Sequence, residues 1–413
     1  MKKIIPLFIF LTLSIVLFAQ ETVNISQGES YNNNVYVSMA DGEVNTINSS
    51  DWDIALDVSS PFAIAIRIND GHNVNLKTYP ETDLSGWSSI DSTGYSSWPS
   101  LNNQLDSWEN GAFNISADGS MSDFSWGYYT GDPDHDVVGD SIYLITTSTG
   151  LLKQLRIDFL DGGDWQFTHS NIDGTEEVTE SLSSSDYPER NFIYFDLDTS
   201  TPQNLEPANS EWDLVFTKYY GQTAFGLGAT AGIFSNRGVE IIQADDVDVS
   251  SVVYTDYSWI SDQENISVIG NDWKNLNDMF IWEIVADRCY FVKNQSGDIY
   301  KLIFTSFSGS SAGDLSYTTE LISGSSIGVF SENDWSVYPN PTQGDVVQIQ
   351  SKLGSIDSIS LTNSFGQQLV SEQFWINQGE TSGTLNLASL PNGVYHLTAW
   401  VNNSRVTKTI IKN

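Results

Sequence analysis

Apolar residues recur at alternate positions along most of this chain, the period of strands that bury one face. The clearest instance occurs twice. Ser50-Asp51-Trp52-Asp53-Ile54-Ala55-Leu56 returns as Ser210-Glu211-Trp212-Asp213-Leu214-Val215-Phe216, with a Trp, an aliphatic and a third apolar residue two apart in each. An indole in such a pattern is first of all a core residue, because it buries a large area. What sets this stretch apart is that its surroundings repeat as well. Val35-Tyr36-Val37 precedes the first copy, and Phe192-Ile193-Tyr194-Phe195 precedes the second. Downstream of the first lie Ile142 to Ile145, a turn ending at Gly150, and Leu155, Ile157 and Phe159 in alternation. Downstream of the second lie Cys289 to Val292, a turn ending at Gly297, then Leu302 and Phe304. Strands joined by a short Gly-containing turn predict hairpins. Trp52 and Trp212 are further apart than Tyr143 and Tyr290, so the pattern is an internal duplication with loops trimmed in the second copy.

Ile64 to Ile68 predicts another strand, ended by the turn Asn69-Asp70-Gly71. Thr82 to Asn114 is long, rich in Ser, Asn and Gly, and carries Trp87, Tyr95, Trp98 and Trp108, which suits either the cap of a core edge or a ligand groove. Past a Ser-rich boundary at Ser323 to Ser326, short alternating strands separated by turns predict a small Ig-like β-sandwich. Little reads as a long amphipathic helix. The expected fold is therefore all-β, with two β-rich units in tandem (residues 21–186 and 187–328), a linker (329–334) and the small sandwich (335–413).

Residues 1–20 stand outside this pattern. Lys2-Lys3 followed by the apolar run Ile4 to Phe18 and Ala19-Gln20 has the form of a cleavable Sec signal peptide. That run is short for a membrane span and none like it follows, so a protein that does not span the membrane is expected. The chain carries 17 Lys and Arg against 53 Asp and Glu, a formal net charge of −36, which repels nucleic acid and anionic membranes. Thirteen Trp, 18 Tyr and 20 Phe supply core for strands, and the single Cys289 rules out an intramolecular disulfide.

Two resemblances carry functional meaning. The last segment resembles the type A C-terminal sorting domain of type IX secretion cargo in Bacteroidetes, through Tyr338-Pro339-Asn340-Pro341 with Gly344, the Gly366 turn, Leu390-Pro391-Asn392-Gly393-Val394-Tyr395 and the basic end Lys408 to Lys412. This implies recognition by the type IX secretion machinery, transit through the periplasm, and release or attachment at the outer cell surface. Each of the two units resembles the HmuY family of haem-binding proteins, through the Trp52-Asp53 and Trp212-Asp213 strands, the Tyr strand before each, and the hairpins at Gly150 and Gly297 with Lys153 and Lys301. That resemblance implies a haem or porphyrin ligand gripped between the Trp-Asp strand and the terminal hairpin. In that window the first unit offers His72, His135 and Met121 as axial ligands, and the second offers Met279 and no His.

Other chemistry finds little footing. Asp132, Asp134 and Asp136 alternate around His135, but Val137 and Tyr143 stand where a calcium loop of the EF kind needs Gly and Glu. Four dispersed His and one Cys make no zinc set, and no nucleophile elbow or phosphate loop occurs. The expectation is a binding protein and not an enzyme. A structural or adhesive surface protein is the alternative, and a carbohydrate-active hydrolase a more distant one.

Overall fold

The computed structural model describes residues 20–413 except 81–82, 118, 121, 132–134, 324–334, 352–357, 364–367, 370–373, 376–381 and 402–403. Nearly all of the expected signal peptide, the linker, Met121, Asp132, Asp134 and Gly366 fall outside the described residues. Regular structure in the rest is strand, with 3-10 turns of three to six residues, so the all-β expectation holds. The chain divides into a large unit ending at Ile322 and a C-terminal unit from Ser323.

The two copies of the motif hold matching places in their sheets, but they are not laid end to end. The Trp52 strand (Ile54–Asp57) pairs with Ile66–Ile68 on one side and, on the other, with Phe192–Asp196 from the second half. The Trp212 strand (Leu214–Thr223) pairs with Gly226–Ser235 and with Asn33–Ser38 from the first half. The registers match: Tyr194 lies opposite Ala55, and Tyr36 lies opposite Val215. The first strand of the chain, Glu21–Ser26, likewise crosses over to close the sheet edge at Asp314–Ser323. Two lobes result. One has a core drawn only from residues between Ile54 and Leu197. The other combines Ile25, Val35, Val37 and Met39 with residues from Leu214 to Tyr317. The boundary expected at residue 186 is thus corrected: each half supplies its Tyr strand to the lobe of the other. A strand needs partners on both edges to satisfy its backbone, and chain order alone does not say which copy provides them.

The repeated motif explains the exchange. Each Trp meets the Tyr of the opposite half edge to face, Trp52 with Tyr194 and Trp212 with Tyr36, both at 5.1 Å between ring centres. The Asp after each Trp is buried and ties backbone to backbone. Asp53 accepts from Ser148 N at 2.7 Å in the hairpin turn and from Leu197 N at 2.9 Å in the crossing segment. Asp213 accepts from Met39 N at 2.7 Å and from the Gln295 N–H in its own turn. A third repeated residue, read in the sequence only as part of the turn at Asn69, completes the set. Asn69 Nδ2 donates to Ser49 O and Trp52 O, and Asn236 Nδ2 donates to Asn209 O and Trp212 O. The Gly150 and Gly297 turns hold φ of 91° and 83°, which a side chain would strain. Lys153 and Lys301 are not equivalents: Leu155 and Leu302 face Tyr143 and Tyr290, so Lys301 matches Gln154 and lies one residue out of step with Lys153.

The C-terminal unit is a sandwich of two four-stranded antiparallel sheets around Val347, Ile349, Leu361, Leu385, Leu397 and Ile410. Its sorting-motif residues hold the two ends of the unit together. Asn340 Nδ2 donates to Thr409 O at 2.7 Å while its Oδ1 accepts from Ile411 N. Lys412, only 8% exposed, donates to Leu387 O and Leu390 O and pairs with Asp345 at 3.2 Å. Tyr395 donates its hydroxyl to Pro391 O, and Thr342 accepts at its Oγ1 from Gly344 N. Tyr338 is half exposed, and Gly393 opens the Gly393–Val401 strand.

Candidate functional site

Two cavities in the large unit bring chemically active side chains together. The first lies on the seam between the lobes, where the exchanged sheets face each other. Asp70-Gly71-His72 forms a tight turn laid on the Leu214–Thr223 strand, and Asp70 accepts from Tyr220 N at 3.3 Å. Gly71 is needed there, since a Cβ would stand 2.2 Å from Lys218 O. Trp108 donates to Ser235 O at 2.9 Å, and Arg237 pairs with buried Asp57 at 2.6 Å, so the seam is polar as well as packed.

These contacts enclose a chamber of about 570 Å³, including its open mouth. Trp52, Trp108, Phe192 and Phe234 wall it, and Arg67 and Asp70 supply its charge. Arg67 is buried, donates to Ser107 O and Gln104 O, and lies 5.2 Å from the Trp108 ring. Burial lowers its guanidinium to about 10, against the pull of Asp70. Burial also lifts the Asp70 carboxyl to about 6, although Asn103 and Tyr220 donate to it. Behind the chamber, Glu206 accepts from Asn191 N, Phe192 N and the Tyr194 hydroxyl, and burial lifts it to about 7.

His72 sits beside this chamber. Only 6% exposed, it bonds through Nε2 to Ser49 Oγ at 2.6 Å. Burial, helped by the Lys218 charge, pushes the ring down to about 4, so it is neutral at physiological pH.

The second cavity is an open cleft of about 580 Å³ at the outer end of the first lobe. Pro61, Phe62, Ile64, Phe124, Val137 and Leu160 form an apolar wall, and Tyr129 and His135 provide the polar edge. Tyr129 ends the Gly127–Tyr129 strand opposite Val137, and the loop between them turns back at Gly131 and His135, both at positive φ. The turn sets the His135 Nδ1 in a hydrogen bond with the Tyr129 hydroxyl and the rings nearly parallel, 25° apart. Of the expected axial ligands among the described residues, only His135 reaches this cleft; His72 does not line it, and Met279 is 73% exposed on a hairpin of the other lobe. Tyr129 escaped the sequence reading because its meaning depends on the hairpin that folds it onto His135.

A third group is structural. Asp53, Asp196 and Asp198 bring carboxylate oxygens within 4.8 Å of one another, yet both oxygens of Asp53 are taken by backbone N–H groups. Asp198 accepts from Thr147 Oγ1 at 2.9 Å, which closes the hairpin turn.

Residues 336–413 match the family described as secretion system C-terminal sorting domain. No curated protein matches the chain. A solved structure titled "Biofilm associated protein - BSP domain" is 12% identical, with 89% of this chain and 68% of that one covered; its TM-score of 0.15 carries no argument. The sorting-domain match supports secretion through the type IX route to the outer cell surface or beyond, and implies contact with that machinery. No family match supports the HmuY resemblance of the repeated halves. Among the described residues no helix is long and apolar enough to cross a membrane.

Proposed function

We propose that the exported unit is a cell-surface binding protein that takes haem or a related porphyrin in the outer cleft of its first lobe. The observation that carries this reading is the Tyr129–His135 pair at the edge of an apolar cleft. A tyrosine oxygen is an established axial donor to haem iron, and an imidazole bonded to it orients the ring and raises its donor strength. The apolar wall would cover the macrocycle by burial. The HmuY resemblance of the sequence points to the same ligand class, with Tyr129 and its His135 support in place of a two-His grip. The second half carries no such pair.

Titrating haemin into the purified protein should give a shifted, saturable Soret band. Tyr129→Phe should abolish the shift, and His135→Ala should weaken binding by about 10- to 100-fold, the usual scale for a supporting partner. An unchanged haemin spectrum, or variants that titrate like the parent, would remove haem.

A second reading, adhesion, is favoured by a different observation. Phe225 and Leu227 on one hairpin and Met279, Phe280 and Ile281 on another are all more than half exposed, and Phe225 and Phe280 stack at 6.4 Å. Apolar tips of this kind mark contact surfaces. Cells carrying Phe225→Ser with Phe280→Ser should attach less to an apolar support than parent cells with equal surface display; equal attachment would count against adhesion through this patch.

A further inference from the structure

Two hairpins of the second lobe carry apolar residues outward at their turns. Leu214–Thr223 and Gly226–Ser235 pair as far as Thr223 and Gly226, and in the first of these strands only Leu214 to Phe216 have a second strand beside them. Phe225, in the turn, is 79% exposed. Lys274–Leu276 and Trp282–Ile284 form the second, shorter hairpin, with Met279 and Phe280 each 73% exposed at its turn. The two are fastened below their turns. Lys274 Nζ donates to Ala231 O at 2.9 Å, and Asn271 Nδ2 donates to Gln222 O at 2.8 Å. The tips therefore stand side by side, with the rings of Phe225 and Phe280 stacked 19° apart.

The backbone is strained where it displays Phe280. Its φ of 57° lies in the left-handed region, which a bulky aromatic residue rarely adopts. Asn277 braces the turn in this shape. Its Oδ1 accepts from Met279 N at 2.9 Å and Ile281 N at 3.0 Å, and its Nδ2 donates to Glu283 Oε1 at 2.8 Å. A braced turn that holds a strained aromatic residue out in water weakens the fold, so its cause lies in what the residue touches.

The nearby charges select the partner. From Tyr219 to Ser235 the chain carries no charged residue. On the second hairpin Lys274 is only 5% exposed, whereas Asp278 and Glu283 are exposed. Apolar tips flanked by acids, with no exposed base among them, are repelled by an anionic surface. They complement a choline-lipid layer, whose outermost charge is a quaternary ammonium and whose interior is hydrocarbon.

We propose that the paired tips insert into the surface of a zwitterionic choline-lipid bilayer. Phe225, Leu227, Met279, Phe280 and Ile281 enter the acyl boundary, and Asp278 and Glu283 face the choline groups. This rests on the reading of these tips as an adhesive contact and names the surface that they contact.

Full-length protein is floated with phosphatidylcholine vesicles, and with vesicles in which phosphatidylglycerol replaces part of that lipid. Binding to the first is expected, with weaker binding to the second that high salt restores by screening the acids. Phe280→Ser should bind at least about tenfold more weakly, and Phe225→Ser with Phe280→Ser about a hundredfold, the scale of burying one and two such rings. Phe280→Leu should keep most of the binding. Melting curves equal to the parent are expected, because both rings are exposed. Tyr129→Phe should float like the parent, which separates the tips from the outer cleft. No flotation with phosphatidylcholine, stronger binding to the anionic vesicles, or a double variant that floats like the parent overturns the proposal. A parent dimer that Phe280→Ser dissociates, without flotation, would give the tips to a second copy and overturn it too. If cells still attach to an apolar support through the tips while the vesicles fail, adhesion stands and the lipid partner falls.

Discussion

Fragments 21–186 and 187–322, produced separately, should each fail to fold, and mixing them should restore the native fold. The sequence repeats invite a cut at residue 186, but that cut removes a central strand from both lobes. The first lobe would lose Phe192, Ile193, Phe195 and Leu197, all buried there. The second would lose Ile25, Val35, Val37 and Met39. Burying one such side chain is worth about 1.5–3 kcal/mol, so either set is worth about 6–12 kcal/mol. That equals the whole net stability of an ordinary domain, about 5–15 kcal/mol. Asp53 and Asp213 would also lose the Leu197 and Met39 N–H groups they accept from. Circular dichroism should show no cooperative melt for either fragment and a native near-ultraviolet signal after mixing. A sharp melt of either fragment alone, close to that of the intact unit, would refute the strand exchange as a source of stability.

This is also where sequence and structure part. Alternation, turn residues and the repeated Trp-Asp motif are local features, and each marks a strand or hairpin that exists. The identical registers of Tyr36 and Tyr194 follow from the same duplication. Which copy a strand pairs with is a non-local matter. Tyr36 meets the Trp of either copy equally well by pattern, and only the length and path of the chain from Ser38 to Trp52 decide. The candidate sites follow the same division. His135 was legible as a polar residue in a turn, while Tyr129 gains its role only through the hairpin that brings it onto the imidazole. His72 read equally well as a ligand, yet the Asp70–His72 turn is pressed onto the neighbouring strand and its ring is spent on Ser49. Arg67 and Glu206 were ordinary charges in sequence, and the lobe seam alone gives them significance.

Glu206 should make the large unit lose stability as pH rises from about 5 to about 8, against the opposite slope of the buried His72 and His169, and Glu206→Gln should remove that loss. Glu206 is 4% exposed, and its Oε1 accepts from two backbone N–H groups while Oε2 faces the Tyr194 hydroxyl. Burial is the largest influence on it and lifts its carboxyl from 4.5 to about 7, the donors opposing. A carboxyl raised in the folded state holds its proton there after the unfolded chain has released it. Its contribution is therefore most favourable below pH 4.5, declines as pH climbs toward 7, and is flat above. A tenfold change in proton affinity is worth about 1.4 kcal/mol, so the loss across that window is about 3 kcal/mol. Asp53 and Asp70, each lifted to about 6 chiefly by burial, slope the same way over the lower part of the range. The amide of Glu206→Gln keeps an oxygen for the Asn191 and Phe192 N–H groups and turns its nitrogen to the Tyr194 oxygen, so the contacts survive without a proton to lose. Urea unfolding at pH 5, 6, 7 and 8 should find the variant close to the parent at pH 5 and more stable by about 2–3 kcal/mol at pH 8. A difference between the two that stays constant across the four pH values would show that Glu206 does not titrate in this window, and the slope would then belong to Asp53, Asp70 and the acidic surface.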